Sequence, residues 1–166
     1  MDSKTLEQQQ QQQQQLILQY KSYTHTATVK RILIVNYEDD VNFSLKLVLE
    51  DETKEERDRR NCFKVDFSND PISVLNNFKN GSYDLLIIEV VMPHMNGFEL
   101  AKQIRKIDDK VKICFLIAGE VPSKVRFDIT SSSSGQGEEG YQDKFIRLPI
   151  ENKVLIEQID KIIINS

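Results

Sequence analysis

The chain has 166 residues, of which 39% are hydrophobic, and its formal net charge at pH 7 is −4. A chain of this length and composition buries one hydrophobic core of ordinary size, which predicts a single domain with tails and excludes a second catalytic or DNA-binding domain. Because binding to phosphates requires clustered Lys and Arg on one face, the negative net charge argues against a nucleic-acid-binding protein.

The N-terminal segment is dominated by a run of glutamines, Gln8 to Gln15. Such a run buries little apolar surface, so residues 1–28 are predicted to form a disordered Gln-rich tail. The alternative is that the adjoining sequence LILQY extends this run into a helix that self-associates. The tail is polar and no run of about 18 apolar residues follows it, so neither a signal peptide nor a membrane span is indicated. We therefore expect a cytoplasmic protein that does not bind membranes.

Short apolar runs with the length of β-strands begin after the tail. Three of them show no polar alternation, which is typical of parallel strands that are covered on both faces. The run NCFKVDFS alternates more and predicts an edge strand, and the shorter run KFIRL predicts a fifth strand. The five predicted strands are Arg31–Val35, Asn61–Ser68, Asp84–Val90, Lys112–Ile117 and Lys144–Leu148.

Four segments between or after these runs have apolar residues at helical spacing, which predicts amphipathic helices. Two of them begin with capping signals, SNDP and MNG. The periodic residues are Val41, Leu45 and Val48; Ile72, Leu75 and Phe78; Leu100, Ile104 and Ile107; and Leu155, Ile159 and Ile162.

Strands that alternate with helices predict right-handed βαβ crossovers and a three-layer α/β sandwich over residues 29–166. The region between the fourth and fifth strands is less regular. Residues 121–130 leave open a short helix, and residues 131–140, SSSSGQGEEG, are predicted to form a flexible loop.

Cysteine and histidine do not indicate catalysis or metal binding. Cys62 and Cys114 have no CxxC spacing and are predicted to be buried free thiols. His25 and His94 have no partner at helical spacing, so we expect exposed loop residues and not metal ligands. Because a glycine-rich phosphate loop, a G-x-S-x-G elbow and a Cys–His pair are all missing from the sequence, we expect no enzyme activity.

Ligands of open α/β sheets bind at the carboxyl ends of the strands, and these ends resemble those of a known family. The segment YDLLIIEVVMPHMNGFELAKQIRKID is similar to the third strand, loop and third helix of response-regulator receiver (CheY-like) domains of two-component phosphorelay signalling. RILIVNYEDD, FSNDPISVLNNF and FIRLPI match the family in order. The resemblance covers about residues 29–165 and implies a flavodoxin-like (βα)5 fold with a five-stranded parallel sheet of order 2-1-3-4-5.

The resemblance also identifies the positions of the family's phosphorylation pocket. In receivers an aspartate at the end of strand three accepts the phosphoryl group, and an acid pair at the end of strand one holds Mg²⁺. Glu89 lies at the phosphoacceptor position, Asn36 and Tyr37 lie at the acid pair, and Glu38 follows them. Mg²⁺ binding is therefore expected to be weak or absent, with Glu38 and Glu89 as the remaining candidate ligands.

The family's switch and clamp positions are also substituted. Ile117 replaces the hydroxyl residue at the end of strand four, and Leu148 replaces the lysine before the proline after strand five. Phe145 lies at the aromatic switch position and is expected to pack permanently in the core. Arg147 should point away from the site, because neighbouring strand residues point to opposite faces.

These replacements predict a degenerate receiver, a pseudo-receiver that binds a protein without being phosphorylated. Its partner would be a histidine kinase or a downstream signalling protein, on a surface that includes the last helix (Glu151 to Ile164), strand five and the region around Val125. The alternative is a receiver that responds to Mg²⁺ or still accepts phosphate from a histidine kinase. A further hypothesis is that Glu89 permanently mimics a phosphorylated aspartate. The sequence does not indicate the oligomeric state.

Overall fold

The computed structural model describes residues 12–15, 28–50, 61–120 and 144–164. Its five strands are β1 (Thr28–Val35), β2 (Asn61–Ser68), β3 (Leu85–Glu89), β4 (Lys112–Ile117) and β5 (Lys144–Arg147). Four helices accompany them: α1 (Asp39–Glu50), α2 (Pro71–Asn77), α3 (Gly97–Ile107) and α4 (Asn152–Ile164).

The five strands form one parallel sheet in the order β2-β1-β3-β4-β5. Helices α1 and α4 cover one face of the sheet, where Leu45 and Ile159 join a buried cluster. Helices α2 and α3 cover the other face, where Val74 and Leu100 join a second cluster. The predicted flavodoxin-like three-layer sandwich is therefore confirmed, and β2 lies at an edge of the sheet as predicted.

The helix starts follow the sequence signals. Asp70 caps α2 by accepting a hydrogen bond from the backbone N–H of Ile72 at 2.9 Å, and Pro71 occupies the first turn. Asn96 caps α3 through a 2.9 Å bond from the N–H of Glu99. These side chains satisfy donors that the first helical turn leaves unpaired.

In α1, α2 and α3, not every residue of the predicted apolar stripe is fully buried. In α1 the buried residues are Asn42, Leu45 and Leu49, with Val41 and Val48 only partly buried. Helix α2 ends at Asn77, because Phe78 adopts extended backbone angles as the C-cap.

Two further residues in the predicted apolar stripes are exposed, Ile72 by 39% and Ile107 by 37%. Both lie within one turn of a helix end. Strand β1 begins at Thr28, earlier than predicted, because its pairing with β2 begins there. Cys114 is buried, but Cys62 is only half-buried, and the two cysteines do not form a disulfide.

Several predictions concern residues outside the described ranges: most of the N-terminal tail, His25, the region around Val125, and loop 131–140. Residues 12–15 of the tail are helical and exposed. No described helix combines the length and the apolar character that crossing a membrane requires.

Candidate functional site

The carboxyl ends of β1, β3 and β4 lie side by side at one edge of the sheet. Val35 pairs with Ile88, and Glu89 pairs with Leu116. Strand β1 lies between β2 and β3. The chain therefore adds β2 on one side of β1 and the remaining strands on the other, so the strand order reverses at β1. Such a switch point is the usual ligand site of an open α/β sheet.

Glu89, the last residue of β3, is buried at this edge with 3% of its surface exposed. One carboxylate oxygen, Oε2, accepts a hydrogen bond from the backbone N–H of Ala118 at 3.1 Å. The other, Oε1, accepts a longer bond of 3.4 Å from the N–H of Val91. The side chain therefore links the segments that follow β3 and β4.

The surroundings of Glu89 raise the pKa of its carboxyl to about 7. Burial is the main cause, because removal from water disfavours the charged form. The Val91 and Ala118 amides oppose this effect, and the negative charge of Glu38 adds to it. A substantial fraction of the Glu89 carboxyl is therefore protonated near neutral pH.

Asn36 is fully buried, and its hydrogen bonds organise the loop between β1 and α1. Its Oδ1 accepts from the N–H of Glu38 at 3.0 Å, and its carbonyl oxygen accepts from Asn42 Nδ2 at 2.7 Å. Its own N–H donates to the carbonyl of Ser68 at 3.2 Å. The side chain of Asn36 thus forms an Asx turn, and its backbone groups join β1 to α1 and to β2.

Tyr37 and Glu38 follow Asn36 on the outside of this loop. Tyr37 is 45% exposed, and Glu38 is also exposed. A hydrogen bond with Glu38 and the negative charge of that carboxylate raise the pKa of the Tyr37 hydroxyl, with smaller contributions from burial and from the charge of Glu89. The two positions of the family's acid pair are therefore occupied by a buried amide, Asn36, and an exposed phenol, Tyr37.

The ends of β4 and β5 present apolar side chains. Ile117 is buried in the cluster on the α2–α3 face of the sheet. Leu148 is half-buried and packs against the other cluster, and its N–H donates to the carbonyl of Ile117 at 2.8 Å. Arg147 is exposed. Neither Ile117 nor Leu148 can hydrogen-bond through its side chain or balance a charge.

Phe145 is half-buried and belongs to an aromatic group beside the site. Its ring centroid lies 5.6 Å from that of Phe115 and 6.4 Å from that of Phe98. The Phe98 and Phe115 rings are 4.6 Å apart. This three-ring contact holds Phe145 against β4 and α3.

Gly97, the first residue of α3, allows the helix to begin against the end of β3. A Cβ atom at this position would lie 2.4 Å from the carbonyl oxygen of Glu89. The Gly97 N–H donates to the carbonyl of Val90 at 3.0 Å, which holds the two segments together. His94, in the loop before this helix, is exposed as predicted, and its backbone lies in the left-handed region with a φ of 68°.

The residues at this edge do not fit the Mg²⁺ ion that the resemblance implies. The oxygens of Glu89 and the Oδ1 of Asn36 already accept backbone hydrogen bonds. Glu38 is the one acidic side chain of the loop's first three residues, Asn36 to Glu38. Within the described ranges, no three His, Cys, Asp or Glu side chains form a group able to hold a metal. Mg²⁺ is usually bound through one or two carboxylates, and of the two here Glu89 already accepts hydrogen bonds from two backbone amides.

A cavity of about 310 Å³ lies at the opposite end of the sheet, beside the amino ends of β1, β3 and β4. Its wall includes the ion pair between Lys30 and Asp84 at 3.2 Å and the Arg31 guanidinium 5.0 Å from the centre of the Tyr83 ring. Lys30 and Asp84 already pair with each other, and the cavity is separate from the Glu89 site.

Sequence reasoning placed Asn36, Glu89, Ile117 and Leu148 together but missed three contributors. The amides of Val91 and Ala118 belong to the backbone, so the residue types in the sequence do not indicate that these groups bind Glu89. Asn42 could have been found, because it shares the helical stripe of Leu45 and Leu49.

Comparisons with known proteins agree with this architecture. Residues 32–127, more than half of the chain, match the family model "Response regulator receiver domain". No curated protein matches the chain.

The solved structures that the fold resembles include three receiver proteins. The non-phosphorylated HemR receiver domain from Leptospira biflexa is 21% identical with a TM-score of 0.61, covering 82% of this chain and 96% of that one. The CheY-like receiver domain protein from Methanospirillum hungatei is 22% identical, with a TM-score of 0.59 and coverage of 81% and 93%. The Vibrio cholerae chemotaxis protein CheY4 is 17% identical, with a TM-score of 0.58 and coverage of 81% and 99%. From the family match and the shared fold, the chain belongs to the response regulator receiver domains of two-component signalling.

Proposed function

We propose that this receiver domain is a pseudo-receiver, a phosphorylation-independent module that binds a histidine kinase or a downstream signalling protein. Receiver domains are generally signalling modules without enzyme activity of their own. The observation that carries the proposal is the state of Glu89, whose buried carboxylate already accepts hydrogen bonds from the amides of Val91 and Ala118.

Glu89 is poorly suited to accept a phosphoryl group. Phosphoryl transfer depends on an aligned nucleophile, and a misplacement of about 1 Å can cost about 10²-fold in rate. The extra methylene of glutamate is a displacement of that order, and burial keeps part of the carboxyl protonated near neutral pH. A protonated carboxyl is a weaker nucleophile than a carboxylate.

The neighbouring side chains would not stabilise a bound phosphoryl group. Such a group carries a charge of about −1.5 to −2 and three acceptor oxygens. Ile117 and Leu148 supply neither a hydroxyl nor an ammonium, and the β1–α1 loop lacks the carboxylate pair that would hold Mg²⁺. The charge would therefore remain uncompensated in a buried place.

The partner surface that we propose consists of α4 and β5, together with the region around Val125. In its favour, Val154 at the start of α4 is 39% exposed and Ile164 at its end is 60% exposed. Both are apolar side chains that the described part of the fold leaves uncovered.

One observation favours a second candidate, a receiver that still responds to Mg²⁺ or accepts phosphate. The charge of Glu38 raises the pKa of Glu89, so the two carboxyl groups are close enough to interact. A cation between two such groups would relieve their repulsion.

The test of the proposal is to treat the protein with acetyl phosphate and Mg²⁺ and to measure its intact mass. We expect no phosphorylated species, and no shift of the Glu38, Glu89 or Ala118 amide signals with Mg²⁺ and beryllofluoride. The positive control is a variant in which the family's residues are restored together: Asn36→Asp, Tyr37→Asp, Glu89→Asp, Ile117→Thr and Leu148→Lys. It should gain Mg²⁺-dependent phosphorylation, whereas Glu89→Asp alone should not. A phosphorylated unmodified protein, or full activity from Glu89→Asp alone, would overturn the proposal.

A further inference from the structure

We infer that one ordered water molecule is bound between the side chains of Asn36 and Asn42, and that this neutral site holds the β1–α1 loop where other receivers hold a cation. The inference rests on the proposed function, because it requires that the loop does not bind Mg²⁺. It concerns how the loop is held, which the proposed function leaves open.

The two residues are in contact through the Asn42 side chain and the Asn36 backbone, and neither residue is exposed at all. Asn42 Nδ2 donates to the carbonyl oxygen of Asn36 at 2.7 Å. Each amide keeps one polar atom, Asn36 Nδ2 and Asn42 Oδ1, that has no hydrogen-bond partner within the described part of the chain. Buried polar atoms are nearly always hydrogen-bonded, to protein or to ordered water.

Rotating either side-chain amide by 180° would not give these two atoms hydrogen-bond partners. Turning Asn36 would place its NH₂ group against the N–H of Glu38, which now donates to Oδ1 at 3.0 Å. Turning Asn42 would place its oxygen against the carbonyl oxygen of Asn36. Because the existing hydrogen bonds fix both orientations, the two unpaired atoms are one donor and one acceptor.

A donor and an acceptor on contacting residues suit a molecule that can both accept and donate. Water does both, and buried waters typically make about three hydrogen bonds to groups of this kind. A divalent cation would gain only the Asn42 oxygen as a ligand and would face the positive hydrogens of Asn36 Nδ2. The chemistry of the pair therefore selects water over Mg²⁺.

The site would be part of the anchor of the loop. Asn36 already joins the loop to β2, to α1 and to Glu38 through its other polar atoms. A water between Asn36 and Asn42 would complete this network. It would fix the position from which Tyr37 and Glu38 extend into solvent.

The test is to measure dipolar contacts between water and the Asn36 side-chain NH₂ in ¹⁵N-resolved NOE and ROE spectra. Opposite signs in the two spectra identify a long-lived bound water and separate it from proton exchange. We expect such a signal at Asn36, unchanged by millimolar Mg²⁺. It should be lost in Asn42→Leu, which removes the acceptor at similar volume.

The matched control is Asn77→Leu. Asn77 also donates from its side chain to a backbone carbonyl, that of Ser73 at 2.8 Å, but it is exposed. This variant should leave the Asn36 signal unchanged.

Three results would overturn the inference. The first is no long-lived water at Asn36 in the unmodified protein, and the second is a signal that survives Asn42→Leu. Both leave the proposed function standing. The third is loss of the water signal with a shift of Asn36 when Mg²⁺ is added, which would show that a cation enters. The mass measurement with acetyl phosphate then decides independently whether the proposed function also fails.

Discussion

At Glu89, burial and hydrogen bonding act in opposite directions on one carboxyl group. Removal from water raises its pKa, while the amides of Val91 and Ala118 lower it, and burial prevails. The carboxyl thus has a pKa of about 7 in the folded protein, compared with an ordinary value of 4.5. Because the folded state holds this proton more tightly than the unfolded state, the stability of the protein must depend on pH.

The free energy of unfolding should fall as the pH rises from about 4.5 to about 7. In this range the unfolded chain has lost the Glu89 proton and the folded chain has not, so the folded state binds more protons and raising the pH destabilises it. The full effect is about 3 kcal/mol above pH 7. It should disappear in Glu89→Gln, which cannot ionise. Urea unfolding of both proteins at a series of pH values measures it.

Glu99→Gln is the control for this measurement, because Glu99 is an exposed carboxylate in the first turn of α3. Its unfolding curve should keep the pH dependence of the unmodified protein. If Glu89→Gln also kept that dependence, the carboxyl of Glu89 would not have a raised pKa.

At the scale of the elements, the contact between β3 and α3 positions the site. Helix α3 starts so close to the strand that a Cβ atom at Gly97 would lie 2.4 Å from the carbonyl oxygen of Glu89. The Asn96 cap and the bond from Gly97 N–H to the Val90 carbonyl hold this geometry. The tight turn also aligns the Val91 amide with the carboxylate of Glu89.

Gly97→Ala should destabilise the protein by about 1–3 kcal/mol, the usual cost of forcing extra volume into a packed site. Helix propensity alone would predict the opposite, since alanine is favoured over glycine by about 1 kcal/mol. The added Cβ would lie 2.4 Å from a backbone oxygen, which cannot move cheaply. Chemical denaturation measures the change.

Gly119→Ala provides the comparison, because a Cβ at Gly119 would meet no heavy atom of the described residues within 4 Å. Its effect should stay within about 0.5 kcal/mol. A Gly97→Ala protein that is as stable as the unmodified one would show that strand and helix are not in such close contact.

At the scale of the whole molecule, the central strand β3 is buried on both faces. Ile87 belongs to the cluster under α1 and α4, and Ile88 belongs to the cluster under α2 and α3. Neither side chain is exposed at all. The two helical layers therefore depend on the same strand, and this explains the continuous apolar sequence of β3.

Ile87→Ala and Ile88→Ala should each destabilise the protein by about 2–5 kcal/mol, as is usual for such changes in a packed core. Val29→Ala on β1 is the control, because Val29 is 56% exposed, and we expect an effect within about 0.5 kcal/mol. Thermal and urea unfolding of the three variants compare them. An Ile88→Ala variant as stable as Val29→Ala would contradict the burial of the α2–α3 face.

The sequence by itself determined the order of strands and helices, the caps at Asp70 and Asn96, and the family. These features are local, since periodicity, capping side chains and motif residues lie within a few positions of one another. The buried faces of α1 and α2 were less predictable. The burial of Asn42 and the end of α2 before Phe78 depend on how each helix meets the sheet.

Only the tertiary structure decided what surrounds Glu89 and Asn36. The Ala118 amide is 29 positions away from Glu89 in sequence, and it reaches the carboxylate because β3 and β4 are paired. Backbone amides carry no mark in the sequence, and the pKa of Glu89 depends on burial that many distant residues create together. The residue types at the site could therefore be read from the chain, but their hydrogen bonds and protonation could not, because those arise from contacts between segments that only folding brings together.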